Sequence, residues 1–261
     1  DKPIDYIIHG ASITGSKQFV DCPVETIMTG IEGTKNILEF AREKQIKEMV
    51  YLSSLEVYGV TDFSLKSVKE DQYGYIEQLS PRSSYSEGKR MIECMCVSYG
   101  SEYGVPVKIV RLSQTFGPGV SYEDGRVFAQ FARAAIENKN IVLKTKGETY
   151  RNYCYTRDAV IGILCVLLKG EKREAYNIAN EETGISICDM ARLVAEDIKK
   201  RKIKVIFDID DDIEKLGYAP TIKIALNTKK VQKLGWKAEI GLKEAYNRMI
   251  EYMKDTKGEK Y

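Results

Sequence analysis

The sequence predicts an α/β fold: a parallel sheet with helices on both faces, followed by a smaller α+β lobe. Three observations predict it. The short apolar runs Met49-Val50-Tyr51-Leu52 and Val107-Lys108-Ile109-Val110-Arg111-Leu112 read as strands buried on both faces. Strand-like runs alternate with stretches of helical periodicity, the pattern that builds a parallel sheet. With 261 residues, 43% of them hydrophobic, the chain can bury one large or two unequal domains.

Taken in order, Tyr6–His9 reads as the first strand. Residues 24–44 read as an amphipathic helix with Ile27, Ile31, Ile37, Leu38 and Ala41 on its inner face. A strand at 49–54 follows, then a polar loop over 60–82, a helix over 83–103 and a strand at 107–113. Thr115-Phe116-Gly117-Pro118-Gly119 ends that strand with a turn. Residues 126–139 read as a helix and Ile141–Leu143 as a short strand. Asp158 is placed to cap the apolar helix 159–168, and 175–179 is the last strand of the main sheet. Beyond it, Ser186 caps a helix over 187–200, 205–209 is a strand, and 228–235 and 241–254 are helices. With no repeat, low-complexity tract or flexible linker, the two lobes are expected to share segments. The first takes 1–118 with 156–180, the second 119–155 with 181–261.

Forty basic residues against 38 acidic ones give a net charge of +2, so no global field points to nucleic acid or a membrane surface. The run Lys199-Lys200-Arg201-Lys202 reads as a solvated helix end. No apolar run approaches the roughly 20 residues that span a bilayer, and the N-terminus does not resemble a signal peptide. A cytoplasmic protein with neither nucleic-acid nor membrane partner is expected. The six cysteines (22, 94, 96, 154, 165 and 188) are scattered and read as reduced thiols. Cys94 and Cys96 diverge on a helix and make a poor metal pair. His9 is the single histidine, which removes a Ser-His-Asp triad and a His-rich metal site, so no metal is expected.

The most informative residues are Tyr85 and Lys89, in Tyr85-Ser86-Glu87-Gly88-Lys89. At i and i+4 they share one helix face. Ser53-Ser54-Leu55-Glu56-Val57-Tyr58-Gly59 precedes them, with Ser53-Ser54 at the C-terminal end of a strand. Ligands bind there in open α/β sheets. A Lys ammonium beside a phenol favours the phenolate, drawing its pKa below about 10. A phenolate can take the proton of an alcohol while hydride leaves for a nicotinamide ring. The pair alone is common in helices, where an exposed Tyr stacked on a Lys stem is the ordinary reading. The flanking strand and serines set it apart.

From about Asp5 to Met253 the chain resembles the extended short-chain dehydrogenase/reductase group, the NAD-dependent sugar-nucleotide epimerases and dehydratases. The resemblance is carried by Asp5-Tyr6-Ile7-Ile8-His9, Gly33-Thr34-Lys35-Asn36-Ile37-Leu38, the Ser53–Gly59 run, the Tyr/Lys pair and Leu234-Gly235-Trp236. It implies a truncated Rossmann-like parallel sheet with a substrate lobe, NAD as cofactor and a nucleotide sugar, a UDP-sugar, as substrate. Tyr85 would deprotonate the sugar C4 hydroxyl, and Lys89 would lower the Tyr85 pKa and bind the nicotinamide ribose. Ser54 would polarise the oxygen, and Glu56 would move a proton or orient an acid group near the sugar. His9, Ala11 and Ser53 would lie along the cofactor. Arg126 and Arg151 would grip phosphate oxygens, and Gln114 stands where the family usually has Asn. Helices 24–44 and 83–103 are candidates for a homodimer interface.

The resulting 4-keto sugar permits epimerisation, dehydration or decarboxylation. Leu55 stands where the resembling 4,6-dehydratases place an acidic Asp, and leucine cannot donate a proton. UDP-glucuronate decarboxylases are similar over Arg82–Arg90 and Asp124-Gly125-Arg126-Val127. They also carry an Arg about ten residues before Leu-Gly-Trp, where this chain offers only Lys223, a point charge rather than a fork. Epimerase/dehydratase chemistry is the leading expectation, and decarboxylation the alternative. A non-catalytic nucleotide-binding sensor or scaffold is the alternative from another class.

The family's glycine-rich fingerprint is not found before Asp5. Gly10-Ala11-Ser12-Ile13-Thr14-Gly15 matches instead the loop after the family's fourth strand. The chain begins with Asp and is read as the C-terminal part of a longer protein lacking two to three βα units, roughly 60–80 residues. Without the glycine-rich turn to hold a pyrophosphate, this fragment is expected to bind NAD poorly or not at all and to be inactive, unlike its parent.

Overall fold

A computed structural model describes residues 3–209 and 221–257. In chain order the first elements are β1 (Tyr6–His9), α1 (Gln18–Asp21), α2 (Pro23–Lys44), β2 (Glu48–Ser54), α3 (Ser84–Glu102) and β3 (Val107–Leu112). Next come β4 (Gln114–Phe116), α4 (Val127–Glu137), β5 (Ile141–Leu143), β6 (Tyr150–Tyr155), α5 (Thr156–Lys169) and β7 (Ala175–Ile178). The last are β8 (Asn180–Ser186), α6 (Ile187–Arg192), β9 (Val205–Phe207), β10 (Lys223–Ile224), α7 (Lys229–Gln232) and α8 (Leu242–Asp255). Two compact units emerge. The first takes the described residues up to 113 with 160–179 and 226–237; the second takes those of 114–159, 180–225 and 238–257.

The first unit is built on a parallel sheet in the order β1-β2-β3-β7. Its register aligns Tyr51 with Ile109 and Ile109 with Ala175. On one face Met49, Tyr51, Val107 and Ile109 pack against Leu38 and Ala41 of α2 and Ile92 and Cys96 of α3. Lys108, alternating to the opposite face, donates to the Leu167 carbonyl of α5 at 2.6 Å and pairs with Glu48 at 2.7 Å. Helices therefore lie on both faces, as the sequence predicts.

The inner face of α2 differs from the expectation. Its fully buried stripe is Thr26, Gly30, Thr34, Leu38 and Ala41, while Ile27, Ile31 and Ile37 are half-buried flanks. Close approach of the helices is the reason: a Cβ on Gly30 would sit 2.9 Å from Ile92 Cδ1. Pro23 opens α2, where its missing N–H costs nothing. Gln45, in the left-handed region with φ 48°, closes it.

The second unit holds β10-β6-β4, with β8 antiparallel to β6, and a separate parallel pair β5-β9. Phe116, Phe128, Tyr153, Met190, Tyr246 and Met249 form much of its core. Strands β4, β6, β8 and β10 go beyond the sequence reading. Tyr150-Arg-Asn-Tyr-Cys-Tyr155 mixes polar and aromatic residues on both faces and presents neither an apolar run nor a clean alternation. Asp158 does not cap α5, which begins at Thr156. It lies buried in the first turn and accepts the backbone N–H groups of Glu239 (2.9 Å) and Ile240 (2.8 Å). Ser186 does cap α6, accepting from Asp189 N at 3.0 Å, but the helix continues as a π-helical turn, Leu193–Ile198. Among the described residues, no helix is long and apolar enough to cross a membrane.

Candidate active site

Parallel pairing brings the C-terminal end of β2 beside those of β1 and β3, so His9, Ser53 and Ser54 arrive at one edge of the first unit's sheet. The chain leaves β2 in a 3₁₀ turn, Leu55–Tyr58, and the Ser54 hydroxyl caps it by accepting Glu56 N at 3.2 Å. Buried Leu55 and Val57 hold that turn down and leave Glu56 half-buried between them. Ser86 Oγ reaches Glu56 Oε2 at 3.5 Å.

Helix α3 delivers Tyr85 and Lys89 to the same place. The Tyr85 ring stacks on buried Phe19 of α1, with centroids 4.3 Å apart and planes within 10°. The Arg82 guanidinium lies 5.0 Å from the Phe19 centroid. Burial is the main influence on the Tyr85 phenol and pushes it up to about 12; a Ser54 hydrogen bond lowers it, the Glu56 carboxylate raises it and Arg82 lowers it. Lys89 is 4% exposed. Its Nζ donates to the Leu52 carbonyl at 2.8 Å and lies 4.7 Å from the Tyr51 ring and 5.6 Å from the Tyr85 ring. Burial brings the ammonium down to about 8, against the pull of Glu93. The expected lowering of the phenol below its ordinary value is therefore not found. Burial outweighs the favourable charges, and the ammonium is turned to a β2 carbonyl.

His9 is buried, its Nε2 2.9 Å from Thr34 Oγ1 of α2, and burial followed by the Lys89 charge holds its pKa down. Ala11 is exposed in the loop after β1. Ser53 faces the other way from Ser54, and its hydroxyl donates to Glu93 Oε1 at 2.5 Å. A polar cluster unread in the sequence lies behind it. Arg111 of β3 pairs with Glu93 through Nε–Oε1 (3.0 Å) and Nη2–Oε2 (2.7 Å), with both side chains buried. Arg111 also donates to the hydroxyls of Tyr58 (2.9 Å) and Tyr73 and to the Glu70 carbonyl (2.7 Å). Tyr58 in turn donates to Asn177 Oδ1 at 2.6 Å. The available signal was a Tyr85–Lys89–Glu93 ladder at four-residue spacing, with charged residues inside the apolar run of β3.

Gln114, Arg126 and Arg151 all belong to the second unit. Gln114 opens β4 opposite Tyr153, and Arg151 is on the adjacent strand β6. The Nε of Arg151 is buried with no hydrogen-bond partner among the described residues. Arg126, at the start of α4, is engaged by Asp124 through Nε (3.0 Å to each oxygen) and Nη2 (2.5 Å to Oδ2). Arg157 bridges Asp158 (3.1 Å) and Glu239 (2.7 Å). Among the described residues no group of three His, Cys, Asp or Glu is placed to hold a metal.

The first unit's edge fits a nicotinamide cofactor. Ala11 offers no bulk after β1, and the buried Lys89 ammonium uses one donor on Leu52, retaining capacity for a ribose hydroxyl.

Comparison with known proteins shows the family and the fold. A model of the NAD dependent epimerase/dehydratase family matches residues 1–179. UDP-glucuronic acid decarboxylase 1 of Xenopus tropicalis is 30% identical over 96% of this chain, which spans 57% of that relative's length. UDP-glucuronic acid decarboxylase 6 of Arabidopsis thaliana is 30% identical over 95% of this chain and 69% of its own. Among solved structures, UDP-glucose 4-epimerase of Thermotoga maritima shares the fold, with TM-score 0.84 and 22% identity over 97% of this chain and 78% of that one. The chain belongs to the NAD dependent epimerase/dehydratase family.

Proposed function

We propose that the protein is an NAD-dependent enzyme acting on a nucleotide sugar, a UDP-sugar, by way of a 4-keto intermediate. The observation that carries this reading is the convergence of Ser54, Tyr85 and Lys89 at the C-terminal edge of the parallel sheet. Tyr85 takes the proton of the C4 hydroxyl and later returns it. Its phenol is neutral in the free protein, so deprotonation needs the positive charge gathered at the site, to which Lys89 and Arg82 contribute. Ser54 donates to the same sugar oxygen once its capping role is shared. Lys89 and Ala11 would hold the cofactor, which when bound supplies a hydride acceptor for the sugar C4, whereas the buried Ser53 hydroxyl is turned to Glu93 and not to the cofactor. The second unit serves as the sugar-nucleotide lobe, with Arg151 and Gln114 on the phosphates and Arg126 joining them after release from Asp124.

Within this chemistry, decarboxylation of a UDP-uronate is supported by the two relatives named above and by the absence of a proton donor at Leu55. Glu56, beside the Tyr85 phenol, orients the acid group. Product mass tests the branch. The protein expressed from its complete reading frame is offered NAD+ with UDP-glucuronate and with neutral UDP-hexoses. Loss of carbon dioxide from the uronate is expected. Loss of water or an inverted hexose would move the assignment to dehydration or epimerisation, and no product from any of them would overturn the catalytic reading.

We also propose a cytoplasmic homodimer assembled through α2 and α3, whose surfaces expose Val24, Met28, Met91 and Val97. A monomer by size measurement at micromolar concentration would reject it.

A further inference from the structure

We propose that Glu93 is a positioning residue that keeps the buried Lys89 ammonium charged, and that Ser53 and Arg111 hold Glu93 in place for that task. Lys89 and Glu93 are one turn apart on α3 and share a face. Two successive β2 residues meet them: the Leu52 carbonyl accepts from Lys89 at 2.8 Å, and the Ser53 hydroxyl donates to Glu93 at 2.5 Å. The fork of Arg111 closes on the Glu93 carboxylate from β3, and Tyr58, Tyr73 and the Glu70 carbonyl fix the fork. Three hydrogen bonds, one from Ser53 and two from Arg111, fix the carboxylate one turn from Lys89.

Lys89 needs such a neighbour because it is buried, and burial disfavours an ammonium. The other titratable groups facing it offer no negative charge near neutral pH. His9 from β1 is held low by burial. Tyr51 from β2 is pushed far up by burial, and on α3 Tyr85 and Cys96 are each raised to about 12. Glu93 is the carboxylate among them, and its charge draws Lys89 upward against desolvation. The consequence for catalysis rests on the proposed function; the charge of Lys89 does not.

The test is an NMR titration of the protein labelled with ¹³C-lysine, the Lys89 Cε signal being the one lost in Lys89→Arg. A midpoint of about 8 is expected for the unaltered protein. In Glu93→Gln the midpoint is expected to fall by about one unit or more. Because that change strands Arg111, Glu93→Gln/Arg111→Met removes both buried charges and is the variant expected to keep its fold; a smaller fall in the same direction is expected there, since a nearby positive charge is lost with the negative one. A folded double variant whose Lys89 midpoint does not move would overturn the proposal. Lost turnover with an unmoved midpoint would also overturn it while leaving the sugar-nucleotide reading intact. A shifted midpoint in a protein that turns over no sugar nucleotide would uphold it and count against that reading.

Discussion

The two units solve the same problem with different chemistry. Behind the Ser54 end of β2 in the first, Arg111, Glu93, Tyr58 and Asn177 are buried and joined by directional hydrogen bonds that tie α3, β3, β7, the turn after β2 and the 60–82 loop together. The second is centred on aromatic packing. Phe116 stacks on Phe128 at 4.9 Å and tilts against Tyr246 at 4.9 Å, and the buried Tyr246 hydroxyl has no partner among the described residues. An aromatic core fixes volume and tolerates small slides, whereas a network of forked bonds fixes angles. The unit that holds Tyr85, the phenol proposed to transfer a proton, has the network.

The largest effect that can break this comparison is Arg111→Met. It leaves Glu93 buried without its partner and is expected to cost about 3–5 kcal/mol, read as a lower denaturation midpoint. Adding Glu93→Gln should recover most of that loss; strictly additive losses would mean that the pair is not coupled. Next come two chemically identical changes. Tyr58→Phe removes bonds to Asn177 and Arg111 and is expected to destabilise by about 1–3 kcal/mol, whereas Tyr246→Phe removes an unpartnered hydroxyl and should be neutral or stabilising by up to about 1 kcal/mol. Equal losses at both positions would erase the contrast between the units.

The smallest effect is electrostatic. The folded-state phenol of Tyr85 is raised from 10.0 to about 12, so its contribution to stability is fully present below pH 10 and lost as pH climbs towards 12. Glu56 contributes to that rise, so Glu56→Gln should lower the Tyr85 midpoint, read from phenolate absorbance as a difference against Tyr85→Phe. An unchanged midpoint would remove Glu56 from the phenol's surroundings.

Much of this was legible in the sequence where one signal sufficed. Strands β1 and β5 fall where the apolar runs put them, and α2, α3 and β2 begin or end within a residue or two of their periodicity. Tyr85 and Lys89 stood out through the strand and the serines that precede them, not through their spacing alone. What stayed hidden depends on distance in space. Glu93 and Arg111 lie 18 residues apart, and neither position alone identifies the other as its partner. The inner stripe of α2 is made of small residues because α3 comes close, which no count of isoleucines on one helix reveals. The Tyr85 phenol rises because Phe19 and the surrounding fold bury it, and spacing carries no information about burial.

The central claim is that Tyr85 moves the proton. The most direct measurement compares Tyr85→Phe with the unaltered protein, both expressed from the complete reading frame, for turnover of UDP-glucuronate with NAD+ and for thermal unfolding. Turnover is expected to fall by about 10²–10⁴-fold with the unfolding temperature essentially unchanged. Turnover retained in a folded Tyr85→Phe protein would contradict the claim and move the proton to another group.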